Sequence, residues 1–293
     1  MLVLAHAKIY LSLEVLGRRP DGYHEVVTVL HTIALADRLT FETSDFLSLQ
    51  CDIPGLSNEQ NLVWQAARLL LRETVASFKG ASITLEKHIP QASGLGGGSC
   101  DAAATLKALN KMWSLKLSAA TLRKLVAELG SDVPFFVKGG CALGTGRGEV
   151  VTSLAPAPPW WVVLLRPNVR LSDKTARLYG MLTEADFTDG SATRALASRL
   201  RRGIATIADV AAGRNAFERV ASRAFPGLTK GRRALLKAGA PFVRLTGTGP
   251  ALFTLLERQE EGMAILGQLK AGGYEAYLAS LRLPKGNDVQ TTG

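Results

Sequence analysis

The chain has 293 residues, of which 47% are hydrophobic and 20% charged, and a formal charge of +10. That composition excludes a disordered or collagen-like chain, and the length suits two ordinary domains with sizeable cores. The longest strictly apolar run, Trp160–Leu165, is far short of the roughly 18 residues of a membrane span.

The first residues, Met1-Leu2-Val3-Leu4-Ala5-His6-Ala7-Lys8, lack a basic start, a long apolar stretch and a cleavage site, so a cytoplasmic protein is expected. From Lys8 the pattern alternates. Ile9, Leu11, Leu13 and Val15 share one face and Lys8, Tyr10, Ser12 and Glu14 the other, as in a half-buried strand. Further strands are predicted over 26–33, 39–42, 47–53 and 81–85. Helices are predicted over 61–73, with Ser57 to Gln60 spaced as a capping box, and over 101–113 and 118–129. Three prolines in Ala155-Pro156-Ala157-Pro158-Pro159 mark a linker. The expected division is therefore a first domain over 1–155, a second over 156–284 and a disordered tail over 285–293. Beyond the linker the pattern predicts a strand over 160–165, helices over 215–224 and 228–238, two strands over 242–245 and 251–256 flanking a glycine turn, a helix over 259–270 and a strand over 274–278. The class is α+β, the second half a helix-on-sheet layer.

Cys51, Cys100 and Cys141 are odd in number and far apart, so neither a disulfide framework nor a zinc site is indicated. The positive charge attracts anions of any kind. The dispersed arginines of the second half, Arg194 to Arg233, read as solvated helix faces because no aromatics interleave them.

The strongest local signal is Pro90-Gln91-Ala92-Ser93-Gly94-Leu95-Gly96-Gly97-Gly98-Ser99 leading into an alanine-rich helix. Such a loop admits a phosphate to backbone N–H groups at a helix start, or else serves as a tight strand–helix turn. It is neither a Walker loop nor a dinucleotide fingerprint. Asp132, in Gly130-Ser131-Asp132-Val133-Pro134, reads singly as turn or cap chemistry, and Lys8 singly as a solvated lysine. Arg19-Pro20-Asp21-Gly22-Tyr23-His24-Glu25 reads as a hairpin loop, and Thr246-Gly247-Thr248-Gly249-Pro250 as a turn or a backbone surface facing the first glycine loop.

Together and in order, Ala7-Lys8-Ile9, the loop Pro90 to Ser99 and the segment Leu245 to Pro250 resemble the superfamily of galactokinase, homoserine kinase, mevalonate kinase and phosphomevalonate kinase. Within it, the Pro-Asp-Gly-Tyr-His segment and Gly130 to Phe136 look like the 4-diphosphocytidyl-2-C-methyl-D-erythritol kinases. The resemblance implies an N-terminal domain like ribosomal protein S5 domain 2, a ferredoxin-like C-terminal domain, and transfer of phosphate from ATP with Mg²⁺ to the 2-hydroxyl of that cytidine diphosphate alcohol. It implies Lys8 and Asp132 as the catalytic pair. It also implies ATP contacts from Asn61, Lys87, Pro90, Ser93, Gly94, Leu95, Gly96, Gly97, Gly98 and Ser99, the last also a magnesium ligand. Substrate contacts would come from Tyr10, Tyr23, His24, Tyr179, Thr246, Gly247 and Gly249. Small-molecule partners are expected, with no nucleic acid and no membrane, in a monomer or homodimer. The alternatives are another kinase of the superfamily, of homoserine or mevalonate type, and a basic RNA-binding module. One position departs from the family pattern: Tyr10 stands where Asn is usual, a larger group whose single distant hydroxyl crowds the alcohol pocket.

Overall fold

The computed structural model describes residues 1–73, 80–169 and 173–283, so the expected tail over 285–293 lies outside the described residues. The first sheet is built on two long strands, β1 (Leu2–Arg18) and β2 (His24–Ser44), joined by the Pro-Asp-Gly turn. β2 takes in both strands predicted over 26–42. It pairs with β1 along one edge and, along the other, with β4 (Gly80–Glu86) and then β5 (Cys141–Thr145). Parallel β3 (Leu47–Cys51) extends it beyond β4, and β6 (Val150–Leu154) extends it beyond β5.

Helices α1 (Leu62–Glu73), α2 (Gly97–Met112), α3 (Ala119–Val126) and α4 (Val133–Lys138) accompany this sheet. α2 packs on β1 and β2, and its small residues Ala102, Ala103, Ala104 and Ala108 are buried there. The N-terminus of α1 differs from the expected capping box. The Asn61 side chain caps it, accepting from Val63 N–H at 2.9 Å, while Ser57 Oγ accepts from Cys51 N–H.

The proline-rich segment runs between β6 and β7 (Trp161–Arg166). β7 begins a second, antiparallel sheet ordered β10 (Glu275–Ser280), β7, β9 (Leu252–Leu256), β8 (Arg244–Leu245), as the glycine turn between β8 and β9 requires. α9 (Leu228–Lys237) and α10 (Gln259–Ala271) pack on it. The segment between β7 and α9 contributes α5 (Lys174–Gly180), α6 (Ser191–Arg201), α7 (Ile207–Ala212) and α8 (Glu218–Ala224), of which only α8 falls on a helix named from the sequence. Among the described residues no helix is long and apolar enough to cross a membrane.

β1 departs from the expected half-buried pattern. Bulges after His6, Tyr10 and Val15 break its alternation, and the face carrying Lys8, Ser12 and Glu14 is buried as fully as the apolar one. The chain beyond β7 covers Ser12 and Glu14, while the glycine loop and Asp132 enclose Lys8. Leu13 exchanges backbone bonds with Arg214 and Ala216, and Ser12 Oγ lies 2.7 Å from Thr193 Oγ1. Glu14 accepts from Thr188 Oγ1 at 2.8 Å and from Thr193 N–H at 2.7 Å. One apolar cluster also draws on both sheets, with Ile9 and Leu30 beside Val162 and Phe253. The two sheets thus share a seam along β1.

Replacing Glu14 by Ala leaves the buried Thr193 N–H and the half-buried Thr188 hydroxyl without their charged acceptor, and about 3 kcal/mol of stability should be lost. Urea unfolding measures this. Glu14→Gln, which keeps an acceptor for Thr193 N–H, should lose less.

Candidate functional site

The seam opens into a cleft of about 1300 Å³ whose walls include Lys8, Tyr10, the glycine loop, Asp132, Lys174, Tyr179 and Gly247. β1 carries Lys8 into it, and Lys8 N–H donates to Leu95 O at 3.0 Å, tying the strand to the glycine loop. Asp132 precedes α4, and its side chain makes no capping bond there, so it is free to turn into the cleft. Its Oδ2 meets Lys8 Nζ at 3.1 Å, and its Oδ1 accepts from Tyr10 Oη at 2.6 Å. Lys8 is 1% exposed. Burial pulls its ammonium below the ordinary lysine value, with Asp132 pulling back. Burial likewise opposes ionisation of Asp132, but the charge of Lys8 and the bonds from Tyr10 and Lys8 outweigh it and hold the carboxyl below its usual value. The Tyr10 hydroxyl is therefore not distant, as the sequence suggested; it sits on the carboxylate.

The glycine loop makes close backbone approaches that side chains would obstruct. Gly96 adopts φ 76° as the residue before α2, and a Cβ there would lie 2.7 Å from Phe136 and 3.0 Å from Lys8 Cε. Gly94, at φ +89°, lets the backbone approach Thr246, whose O would be 2.5 Å from an added Cβ. The first N–H groups of α2 have no intrahelical acceptor and no acidic residue in the first turn, which leaves a positive helix end in the cleft. Gly97, Gly98 and Ser99 line the cleft beside it, as do Pro90, Ser93 and Asn61. Leu95 differs: its side chain is buried in the apolar core.

Lys87 also reaches the cleft wall, but its ammonium is held by Asp37 and, at 2.7 Å, by Asp101 Oδ2. Burial opposes its charge and the two carboxylates more than restore it, lifting Lys87 above the ordinary range. Burial, with the neighbouring Asp37, pushes Asp101 up to about 8 against the pull of Lys87. Asp37 Oδ1 in turn accepts from His88 and Ile89 N–H. The cluster braces the entry to the glycine loop from behind. Asp37, Cys100 and Asp101 are the one group of metal-ligand type found among the described residues, and Lys87 already occupies its carboxylates.

At the other end of the cleft His24 stacks on Tyr179, ring centroids 4.9 Å apart, with Phe187 at 6.0 Å. Tyr23 is 54% exposed with the Arg147 guanidinium 4.6 Å above its ring. Burial and the nearby Arg18 keep His24 below its ordinary value, so it is neutral at pH 7, with one ring nitrogen to donate and one to accept. Thr246 is buried, its Oγ1 accepting from Tyr10 N–H at 3.1 Å, and the buried Asn215 amide donates to Leu245 O and Gly247 O, fixing the second glycine loop. Gly249 O accepts from Lys174 Nζ at 2.6 Å, and Ala92 O accepts from the same group at 2.9 Å.

Lys174 thus straps one glycine loop to the other across the cleft. No motif announced it or Asn215, Arg147 and Phe187, because their roles come from contacts between distant segments. Burial, then Lys8, lower Lys174 to about 8. Since that is below the ordinary 10.5, the unfolded chain holds more protons than the folded one between the two values, and this group makes stability rise with pH across that window. Compared with Lys174→Met, the native chain should gain relative stability in urea unfolding as pH is raised from 7.5 to 9.5. Parallel curves would contradict the assignment.

Residues 61–140 match the family described as GHMP kinases N terminal domain, and residues 194–275 match GHMP kinases C terminal. The chain is 42% identical over 281 residues to a 4-diphosphocytidyl-2-C-methyl-D-erythritol kinase of Dehalococcoides mccartyi, covering 96% of this chain and 98% of that protein. It is 39% identical to the protein of the same name from a Geobacillus species, covering 92% and 93%. A crystal structure of 4-(cytidine 5'-diphospho)-2C-methyl-D-erythritol kinase superposes with a TM-score of 0.81 at 35% identity, covering 96% of this chain and 98% of that one. With the order of motifs, the two-sheet fold and full-length identity in agreement, the chain belongs to the 4-diphosphocytidyl-2-C-methyl-D-erythritol kinase family of GHMP kinases.

Proposed function

We propose that this chain transfers the γ-phosphoryl group of ATP to the 2-hydroxyl of 4-diphosphocytidyl-2-C-methyl-D-erythritol, as a cytoplasmic enzyme of isoprenoid precursor synthesis. The observation that carries the reading is the Lys8–Asp132 ion pair at 3.1 Å, set directly beside the glycine loop at Gly96. Phosphoryl transfer asks the protein mainly to position groups and to offset charge. Asp132, held ionised, receives the proton that the alcohol gives up; Lys8 orients the reacting oxygen and offsets charge on the transferring group.

The phosphates of ATP lie along Gly94 to Gly98, where N–H groups at the head of α2 face them. Asn61 and Lys87 border the nucleotide, Lys87 through the brace it forms with Asp37 and Asp101 rather than as a free cation. The donor set suits Mg²⁺, a hard cation that keeps waters and phosphate oxygens, through the Ser99 hydroxyl alone, because the nearby carboxylates are committed to Lys87. When bound, Mg²⁺ supplies charge neutralisation on the phosphate oxygens. The cytosine is received at Tyr23, His24 and Tyr179. Aromatic faces stack on the base there, and a neutral imidazole matches its donor and acceptor edge. Thr246, Gly247 and Gly249 close the site from the second sheet. The net charge of +10 favours the approach of two polyanions.

The test is ADP release with Mg-ATP and, in turn, the cytidine diphosphate alcohol, homoserine, mevalonate and no acceptor. Turnover is expected only with the first; turnover with another alcohol alone would assign the site to that substrate. Asp132→Asn and Lys8→Ala should each lower turnover by on the order of 10²-fold, the scale of a positioned proton acceptor. Near-normal rates would remove either residue from the scheme.

A further inference from the structure

Both oxygens of Asp132 already carry a donor: Lys8 on Oδ2, and Tyr10 Oη on Oδ1 at 2.6 Å. The tyrosine is not casually placed. The Lys8 ammonium lies 3.3 Å from its ring centroid, its own N–H is held by Thr246 Oγ1, and the second glycine loop runs so close beneath that a Cβ on Gly247 would sit 2.9 Å from Cε2. Swinging the ring out of the cleft would forfeit these contacts and the bond to Asp132 together. A phenol has one proton and two lone pairs. Here the proton is spent on Asp132, and the oxygen of a cleft-lining side chain is left to accept from whatever alcohol enters.

We propose that Tyr10 is a catalytic proton relay, accepting the acceptor alcohol's hydroxyl proton at its phenol oxygen while passing its own proton to Asp132 Oδ1. The inference rests on the kinase reading above. In the step, the alcohol O–H bond breaks as its oxygen bonds to the γ-phosphorus, and the bridging oxygen of ATP leaves with its electron pair as ADP. The alcohol's proton becomes the new phenol proton, and the old one ends on the carboxylate. Tyr10 finishes as it began, and Asp132 is protonated. No free phenolate arises, in keeping with burial and the adjacent carboxylate, which push the Tyr10 hydroxyl well above its ordinary value.

Tyr10→Phe keeps the ring, its packing on Gly247 and its place under Lys8, and removes only the relay atom. Single-turnover rates with saturating Mg-ATP and each alcohol of the acceptor panel should fall at least ten-fold in the variant for whichever alcohol the native chain phosphorylates, with ATP affinity unchanged. In mixtures of light and heavy water the native rate should follow a curved dependence on isotope fraction, two protons being in motion, and the variant a linear one. A Tyr10→Phe rate within two-fold of native or faster, or the same isotope dependence in both, overturns the relay and leaves the kinase reading standing. A native chain silent with every alcohol overturns the kinase reading and the relay with it.

Discussion

A lysine ammonium with almost no exposed surface has to be matched by an anion, and here the match between Lys8 and Asp132 decides where the whole site sits. Desolvation alone would drive Lys8 toward its neutral form and Asp132 toward its protonated one. Each pulls the other back toward its charged form. The pair exists only when β1, the turn ahead of α4 and the glycine loop between β4 and α2 have come together, so the chemistry is assembled by the fold and by no local segment.

The same economy runs through the seam. β1 is buried on both faces because the chain beyond β7 covers Ser12 and Glu14 and the glycine loop encloses Lys8, and these polar residues are met one by one: Ser12 by Thr193 and Arg214, Glu14 by Thr188 and Thr193, Lys8 by Asp132. Lys174 and Asn215 extend the arrangement to the second glycine loop. A cleft built this way has walls from both sheets, with a positive helix end at one side and an aromatic group at the other. That division suits a substrate pair with a triphosphate on one member and a base on the other.

Much of this was legible in the residues. The glycine loop, the hairpin before Tyr23 and His24, and the strand–turn–strand around Gly247 are local patterns, and turn chemistry fixes them within a few residues. What alternation and propensity did not reveal were features set by distant contacts. Lys8 read as solvated because a strand's polar face usually is, and the glycine loop, the Tyr10 ring and Asp132, packed around its side chain, reverse that. α5, α6 and α7 went unnamed because they are short or polar and take their burial from neighbouring elements. Ser57 to Gln60 had the spacing of a cap, yet Asn61 makes it, since the Ser57 hydroxyl is drawn to Cys51 instead. Tyr10 was visible as a departure, and its meaning only as a bond to a residue far along the chain.

The central claim is that Asp132 stands ionised in the cleft under the hold of Lys8 and Tyr10. Carboxyl-¹³C labelling of the aspartates, with the Asp132 resonance assigned by its loss in Asp132→Asn, measures that directly. The account predicts a carboxylate that remains ionised as pH falls to 3.8, the ordinary value for aspartic acid, and takes up its proton only below it. A resonance that titrates at or above that value would contradict it.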